Sequence, residues 1–305
     1  MIRVGTCSWT EKTLIKSKDF YPKAAKSAED RLRYYAAAFG TVEVDSAFYA
    51  IPGIGTTRLW DERTPQDFVM HIKAYGALTG HTVDVRSLPR DARNELPLKE
   101  KGKTRVSVKE PELLIVLAGQ LVEALKPLKE SGKLGLIVFQ YPPWFTYSNR
   151  NLDYILFCRK IMTPLELAVE FRHGSWLTQE QAETTFKFLK EHKITYVAAD
   201  EPQMTTFATV PFLSRVTSDT AYFRFHGRNR ANWFKRGKET ADRYNYLYSD
   251  EELKELAGPV LDAGKEAKKT FAMFNNCYGS NAVRNAASLG ELIGLIRGQE
   301  NRKAA

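Results

Sequence analysis

Cysteine is scarce in this chain, whose 305 residues contain three: Cys7, Cys158 and Cys277. They lie far apart and no pair has CxxC spacing, which argues against a disulfide framework and against a structural zinc site. We expect them to be packing residues rather than nucleophiles.

Long apolar runs are missing too. The longest stretches, such as Leu134 to Phe139, are far shorter than the roughly 18 residues that a membrane span needs, and no apolar segment opens the chain. We therefore expect a cytoplasmic protein without a membrane partner. Disorder is excluded for most of the chain, because 43% hydrophobic and 27% charged residues are ordinary for a protein with a buried core.

Acidic residues are outnumbered, since 36 Asp and Glu stand against 45 Lys and Arg and give a net charge of +9. An excess of positive charge favours anionic partners. We expect an anionic small molecule or a nucleic acid as the partner.

Short β-rich runs alternate with segments of helical spacing along the chain. Eight such alternations predict an α/β fold, a single (β/α)8 TIM barrel over residues 1–298 followed by a polar tail at 299–305. The predicted strands are Ile2 to Ser8, Val42 to Phe48, Phe68 to Ala74, Leu134 to Gln140, Glu166 to Arg172, Thr195 to Asp200, Ala221 to His226 and Thr270 to Asn275.

The helical segments carry start and stop signals. Ser27 and Asp30 form a capping box before the first of them, and Ser249 with Glu252 precedes another. Pro127 and Pro259 should end or kink their helices. Two segments are irregular: an excursion at 81–110 after strand 3, and 201–217 after strand 6, where no helix is predicted.

Strand parity predicts which side chains face the barrel interior. Alternate residues of a barrel strand point inward, and active sites lie at the carboxyl ends of the strands. Val44, Ile72, Phe171 and Phe225 should be buried under helices. The inward or strand-end positions are Glu43, Asp45, His71, Lys73, Gln140, Glu170, Arg172, Asp200, Tyr222, Arg224, His226, Asn275 and Asn276.

Burying so many charges would cost several kcal/mol each unless they were paired or bound a ligand. One explanation is an internal network of salt bridges that fills the end of the barrel. Asp200 could simply terminate its strand, and Asp45 could form a local turn with Ser46. The other explanation is a binding or catalytic site.

Several motifs resemble one protein family, domain of unknown function 72, the YecE-like proteins. The resemblance extends from about Ile2 to Leu295. It implies a TIM barrel similar to the xylose isomerase and endonuclease IV type, without an established activity. The motifs are Gly5 to Trp9, Val42 to Tyr49, Phe139 to Pro143, Val169 to His173 with Ser175-Trp176, Arg224 to Arg228, and Phe274 to Asn276 with Asn285-Ala286.

Three positions depart from the family pattern. Asp45 stands where the family tends to have Asn, and Gly80 separates Thr79 from His81, so we carry over Lys73 but not His81. Strand 8 offers Asn275 and Asn276 where a metal site of the xylose isomerase type has a carboxylate. We therefore predict no cofactor and do not favour a divalent metal.

The segment from Gly227 to Tyr248 is rich in cations and aromatic residues, with six basic residues against two acidic ones. Loops after the seventh strand often bind phosphate in this fold, and aromatic rings beside cations suit stacking on bases. The alternative is a solvated loop whose rings pack on the barrel rim. The predicted phosphate or nucleic-acid contacts are Arg230, Trp233, Arg236, Lys238 and Tyr244.

These residues lead to an enzyme hypothesis with two alternatives. The enzyme would act on a phosphate-bearing substrate, either nucleic acid or a phosphorylated metabolite, with Glu43, Glu170 and His226 in acid–base roles. Lys73 could instead form a Schiff base, or the protein could bind nucleic acid without catalysis. The substrate-binding residues of the hypothesis are Tyr49, Gln140, Arg172, His173, Asp200, Arg224, Arg228, Asn275 and Asn276.

Overall fold

The strands close into the eight-stranded parallel barrel that the alternation predicts. The structure is a computed structural model that describes residues 1–204, 207–235 and 240–295; the predicted tail at 299–305 lies outside them. The strands are β1 (Ile2–Cys7), β2 (Thr41–Val44), β3 (Val69–Lys73), β4 (Leu134–Gln140), β5 (Leu167–Glu170), β6 (Thr195–Asp200), β7 (Thr220–Phe225) and β8 (Lys269–Phe274). They follow the order β1-β8-β7-β6-β5-β4-β3-β2, which confirms the TIM barrel.

Helices lie between consecutive strands, except between β6 and β7, where the described residues form none. They are α1 (Lys12–Ser17), α2 (Ala28–Ala38), α3 (Ile54–Glu62), α4 (Arg90–Asn94), α5 (Pro111–Ala124), α6 (Lys126–Glu130), α7 (Asn149–Ile161), α8 (Ala182–Glu191), α9 (Arg230–Trp233), α10 (Thr240–Arg243), α11 (Asp250–Glu266) and α12 (Asn281–Leu292).

Two strands end at least two residues earlier than the sequence predicts. β2 ends at Val44, and Asp45–Phe48 form a 3-10 helix in place of the last predicted strand residues. An aspartate favours such a turn because its short side chain competes with strand hydrogen bonding. β5 ends at Glu170, so Arg172 lies just beyond its strand.

The predicted outward residues are buried. Val44 and Phe171 are 1% exposed, while Ile72 and Phe225 are 0% exposed. All residues of β6 and β7 are buried as well, which is typical of parallel strands that are covered on both faces.

The chain divides into two compact units. Unit 1 comprises residues 1–42, 196–203 and those from 211 onward, and unit 2 comprises residues 43–195 and 204–210. In unit 1, β8 pairs with β1 and with β7, and β7 also pairs with β6. In unit 2, β4 pairs with β3 and with β5.

Unit 1 contains both predicted capping boxes. Ser27 with Asp30 starts α2, and Ser249 with Glu252 starts α11. Of the two outcomes predicted for Pro259, an end of the helix is wrong, because α11 continues through the proline to Glu266. The buried face of α11 supplies the reason, since tertiary packing can outweigh the one backbone hydrogen bond that a proline removes.

Unit 2 contains the predicted break at Pro127. α5 ends at Ala124, and α6 begins at Lys126 with the proline in its first turn, where an N–H group is not needed. The excursion after β3 includes a small antiparallel ribbon of Val83–Asp84 and Arg105–Val106. After β6, residues 201–204 and 207–217 form neither helix nor strand, as predicted.

Candidate functional site

Three neighbouring strands of unit 2 end in polar residues. Lys73 is the last residue of β3, Gln140 of β4 and Glu170 of β5. The register sets Lys73 beside Val138 and Gln140 beside Glu170. Because the carboxyl ends of parallel strands meet at one edge of a sheet, this edge carries a cation, an amide and a carboxylate. With Asp45 and Arg172 they form what we name the Glu170 cluster.

A buried ion pair lies at the centre of the Glu170 cluster. Glu170 is 0% exposed and Arg172 is 8% exposed, and Nη1 of Arg172 donates to Oε1 of Glu170 at 3.0 Å. Phe171 between them stacks on Trp176, with 4.2 Å between ring centroids, as alternation along the chain requires. Desolvation costs each ion several kcal/mol, which the charge-assisted hydrogen bond offsets in part.

Lys73 makes two contacts that suit an ammonium group. Its Nζ lies 3.7 Å from Oδ1 of Asp45 and 5.0 Å from the centroid of the Phe48 ring. Asp45 reaches Lys73 from the 3-10 helix after β2, so its predicted place in the strand is wrong although it does lie near Lys73. Glu43, the predicted acid–base residue of β2, is 0% exposed.

Aromatic rings continue outward from Lys73. The ring of Phe48 contacts Tyr49 at 5.3 Å and His81 at 5.0 Å, and His81 contacts Trp144 at 5.8 Å between centroids. Tyr49 is 68% exposed and Trp144 is 66% exposed. Exposed rings grouped beside a cation are typical of ligand-binding surfaces. Sequence reasoning missed Trp144, because strand parity says nothing about a loop residue.

Two of the four histidines of unit 2, His81 and His173, have a pKa that burial lowers. Burial, and then the charge of Lys73, lower the pKa of His81 from 6.5 to about 4. The hydroxyl of Thr79 donates to the carbonyl of Gly76 at 3.0 Å and lies 2.8 Å from Nδ1 of His81. Because that hydroxyl has one proton, His81 donates from Nδ1, and its Nε2 carries a lone pair.

His173 has a local structural role. Burial lowers its pKa, and its Nδ1 accepts from the backbone N–H of Ser175 at 3.2 Å. The side chain thereby caps the 3-10 helix Gly174–Trp176. This use of Nδ1 leaves its predicted role in substrate binding without direct support.

Unit 1 contains a second group of charges around a buried carboxylate, which we name the Asp200 network: Asp200, Arg228, Tyr248, Glu252 and Glu255. Arg228 lies 3.0 Å from Asp200, 3.3 Å from Glu252 and 3.4 Å from Glu255. The hydroxyl of Tyr248 donates to Oδ2 of Asp200 at 2.6 Å. Three carboxylates therefore contact one guanidinium, which argues against the anion-binding role predicted for Arg228. The substrate-binding role of Asp200 stays a prediction.

The pKa values of the Asp200 network reflect its burial. Burial raises the pKa of Asp200, although hydrogen bonds from Arg228 and Tyr248 work in the opposite direction. Burial lowers the pKa of Arg228. The hydrogen bond and the negative charge of Asp200 outweigh burial, so the pKa of Arg228 is raised overall. The Tyr248 hydroxyl is buried next to Asp200, and both effects raise its pKa. It stays protonated and keeps donating.

Two further predicted residues of unit 1 are completely buried. His226 and Arg224 are each 0% exposed. The amide of Asn275 donates to Nδ1 of His226 at 2.8 Å, so a neutral His226 carries its proton on Nε2. Nη2 of Arg224 lies 3.7 Å from Sγ of Cys7.

Asn276 fastens the loop after β7. Its amide donates to the carbonyl of Tyr246 and to Oδ1 of Asn285, both at 2.8 Å, and Asn285 exchanges two hydrogen bonds with the backbone of Tyr248. Gly227 adopts φ +86°, and a Cβ there would lie 2.6 Å from Cβ of Tyr246. We therefore assign Asn276 a structural role in place of the predicted substrate contact.

Part of the basic aromatic loop packs inward, while Phe234 of the same loop is 52% exposed. Trp233 is 2% exposed, and its ring lies 6.3 Å from His226, 6.0 Å from Tyr244 and 6.0 Å from Cζ of Arg243. A base cannot stack on a ring that is this deeply buried, so the predicted stacking role of Trp233 does not fit the structure. Arg230 is exposed. Arg236 and Lys238 lie outside the described residues.

The structure leaves one larger prediction open. That Glu43, Lys73, Glu170, Arg172, Arg224, His226 and Asn275 line a single pocket stays a prediction. Across residues 1–204, 207–235 and 240–295, no three or more His, Cys, Asp and Glu side chains group as a metal site would require. In the same ranges, no helix has the length and apolar composition to cross a membrane.

Known proteins are similar to this chain over almost its whole length. The sequence profile of the family described as "Protein of unknown function DUF72" matches residues 3–304. The UPF0759 protein YunF of Bacillus subtilis (strain 168) is 31% identical over 299 residues, which make up 97% of this chain and 95% of that protein.

Two solved structures of DUF72 family proteins have a similar fold. One from Thermotoga maritima MSB8 is 33% identical, with a TM-score of 0.76, and the match covers 96% of this chain and 99% of that one. Another from Enterococcus faecalis V583 is 28% identical, with a TM-score of 0.79, and the match covers 98% of this chain and 97% of that one.

Proposed function

This chain belongs to the DUF72 protein family, and from the charges at the ends of its barrel strands we propose that it is an enzyme acting on an anionic, phosphate-bearing substrate. The observation that carries the proposal is the ion pair of Glu170 and Arg172, joined at 3.0 Å with the carboxylate 0% exposed. Lys73, at the end of β3 and separated from β5 by β4, adds a second cation.

A purely structural role explains this pair poorly. Replacing a buried ion pair by apolar residues of similar volume is often neutral or stabilising, so burial of the charges is a weak source of stability. The interior of a TIM barrel is usually filled by branched apolar residues. Exposed aromatic rings next to Lys73 also suit a surface that a ligand covers.

Each residue type has a role that its chemistry supports. The guanidinium of Arg172 presents a planar fork that matches phosphate oxygens, and the ammonium of Lys73 acts as a point charge. Glu170 would accept a proton from the substrate and return it in a later step, as a general acid–base residue. Arg172 and Lys73 would balance the negative charge that builds up on the substrate in the transition state.

A thermal-shift screen tests the proposal. Sugar phosphates are compared with the same sugars without phosphate, because a ligand that binds the folded state raises the melting temperature. We expect a phosphorylated sugar to stabilise the wild type and Lys73→Gln to lose most of that shift. The matched control is Lys129→Gln, an exposed lysine of α6.

The outcomes of this screen separate binding from catalysis. Equal shifts in Lys73→Gln and wild type, or shifts from the unphosphorylated sugars alone, contradict the proposed phosphate site. A phosphorylated ligand that binds is then incubated with the enzyme, and its conversion is followed by mass spectrometry in wild type and Glu170→Gln. Conversion at equal rates in both proteins contradicts the role of Glu170.

The two alternatives have less support from the described residues. Schiff-base chemistry needs a neutral amine at Lys73, whereas the contacts with Asp45 and Phe48 favour an ammonium. Nucleic-acid binding by the loop after β7 loses its main stacking ring, because Trp233 is buried. Trapping with borohydride tests the first alternative, and anisotropy of labelled oligonucleotides across a salt series tests the second.

A further inference from the structure

A cavity of about 510 Å³ opens in unit 2. It is lined by the loop after β4, the first turns of α7, the start of α5 and parts of the excursion after β3. The volume lies within the roughly 300 to 1,000 Å³ that small-molecule sites occupy. Lys73, Asp45, Gln140, Glu170 and Arg172 are not among its lining residues.

Aromatic rings form one wall of this cavity. Phe145 stacks on Tyr141 with 4.1 Å between ring centroids, and the hydroxyl of Tyr154 donates to the carbonyl of Leu78 at 3.1 Å. These contacts hold both rings in place. Trp144 lines the same cavity and is 66% exposed. A planar group entering the cavity would cover apolar ring surface that water now contacts.

Three polar side chains of the lining, Thr79, Asn151 and Tyr154, already donate to backbone carbonyls. The other four are Ser107, Lys109, Ser148 and Arg150. Within the described residues, the side chains of Lys109 and Arg150 form no ion pair and the hydroxyl of Ser107 makes no hydrogen bond. The hydroxyl of Ser148 accepts from the backbone N–H of Asn151 at 3.3 Å, which leaves its proton available to donate. No Asp or Glu is among the described residues that line the cavity.

We propose that this cavity binds a nucleoside monophosphate. The base would lie against Trp144, and the phosphate would accept from Arg150, Lys109 and Ser148. A phosphate suits this set better than a carboxylate does, because its three terminal oxygens offer more acceptors to donors that come from several directions. The N-terminus of α7, which Ser148 caps, adds partial positive charge at the same place.

Calorimetric titration of the full chain tests this site. The probes are AMP, GMP, CMP and UMP, with adenosine as the base without phosphate and ribose 5-phosphate as the phosphate without base. We expect at least one monophosphate to bind more tightly than adenosine and ribose 5-phosphate. Arg150→Gln should weaken the monophosphate about 10-fold or more, through loss of a charge-assisted contact, and leave adenosine unchanged.

Two more variants make the result specific. Trp144→Leu should weaken both the monophosphate and adenosine by about 5- to 150-fold through lost stacking. Lys160→Gln is the matched control, because it removes an exposed cation from the far end of the same helix. It should bind the monophosphate as the wild type does.

Failure of this site can be told apart from failure of the proposed enzyme. Glu170→Gln should bind the monophosphate as the wild type does, because Glu170 does not line the cavity. If Glu170→Gln abolishes binding while Arg150→Gln keeps it, the nucleotide belongs to the Glu170 cluster and the cavity proposal is wrong. Absence of binding for all four monophosphates at millimolar concentration also overturns it.

Discussion

Two groups of charges, each around a buried carboxylate and one in each unit, differ in what surrounds them. In the Asp200 network of unit 1, one arginine contacts carboxylates from β6 and α11, and Tyr248 ties the aspartate to the loop after β7. In the Glu170 cluster of unit 2, the ion pair of Lys73 and Asp45 lies near aromatic rings, and the outermost of these rings are exposed.

This difference distinguishes charges that stabilise the fold from charges that can bind a ligand. Arg228 has its positive charge more than balanced by three protein carboxylates, so the Asp200 network repels an added anion. It also fastens a loop to the helix that follows it. Lys73 of the Glu170 cluster pairs with Asp45 at 3.7 Å, longer than a direct hydrogen bond, and sits beside solvent-exposed aromatic surface. A ligand suits the second arrangement.

The largest expected effect is on stability, and it tests whether Arg228 stabilises the fold. Arg228→Met leaves Asp200, which is 1% exposed, as a buried carboxylate without its cation. Removing one partner of a buried pair costs about 3 to 5 kcal/mol, and we expect the lower end because Tyr248 still donates to Asp200. Urea unfolding of the variant measures the loss. A change below about 1 kcal/mol would contradict the structural role.

Two controls sharpen this result. Arg230→Met removes an exposed arginine two residues away and should change stability by about 0.5 kcal/mol or less. The double variant Arg228→Met/Asp200→Asn should recover part of the loss, because the buried group is then neutral. Acid should reduce the loss in Arg228→Met as well, since burial raises the pKa of Asp200 and its protonated form needs no cation.

The second-largest expected effect is on turnover, and it tests whether Glu170 takes part in catalysis. Glu170→Gln keeps the shape of the side chain, and we expect the fold to persist while turnover of a phosphorylated substrate falls about 10²- to 10⁴-fold through loss of the general acid–base group. Melting temperature and turnover are measured on the same preparation. A large fall in melting temperature would instead give Glu170 the role that Arg228 has in unit 1.

The sequence predicts the barrel and the buried strand residues well. Alternation of apolar and polar residues identifies the strands, and it correctly buries Val44, Ile72, Phe171 and Phe225. The same parity sets Glu170 and Arg172 on one side, where the structure joins them. These successes share a cause, because side-chain direction along a strand is a local property of the backbone.

The failures come from contacts that are distant in the sequence. The sequence pattern does not distinguish Arg172 from Arg228. In the structure, however, Arg228 contacts carboxylates 24 and 27 residues further along the chain. The sequence predicts Trp233 as a stacking ring, but in the structure its ring packs against Arg243 and Tyr244. Trp144 and the cavity beside it gave no signal, because a loop ring and scattered donors form a pattern only after folding.

A smaller effect concerns pH and the aromatic rings beside Lys73. Burial and the charge of Lys73 lower the pKa of His81 from 6.5 to about 4. The unfolded chain therefore takes up a proton below pH 6.5 that the folded chain resists until about pH 4. Stability from this residue is present above pH 6.5 and is lost as the pH falls through that window.

We expect this loss to reach about 1 to 2 kcal/mol, after allowance for the partial exposure of His81. Urea unfolding of wild type and His81→Asn at several pH values measures it as a difference, so that carboxylates which titrate in both proteins cancel. Parallel stability curves for the two proteins would show that His81 is as solvated as in the unfolded chain.

The smallest effect concerns the loop after β7, where unit 1 uses an aromatic ring for packing. Cζ of Arg243 lies 6.0 Å from the centroid of the buried Trp233 ring. An interaction of this kind contributes about 0.5 to 1 kcal/mol at a partly exposed position. Arg243→Gln should therefore lower the unfolding free energy by that amount, while Arg243→Lys should keep part of it because the cation remains. Denaturant unfolding followed by tryptophan fluorescence measures both. Equal stability of Arg243→Gln and wild type would mean that the arginine faces solvent, and the loop would then be free to present Arg243 to a ligand as unit 2 presents Lys73.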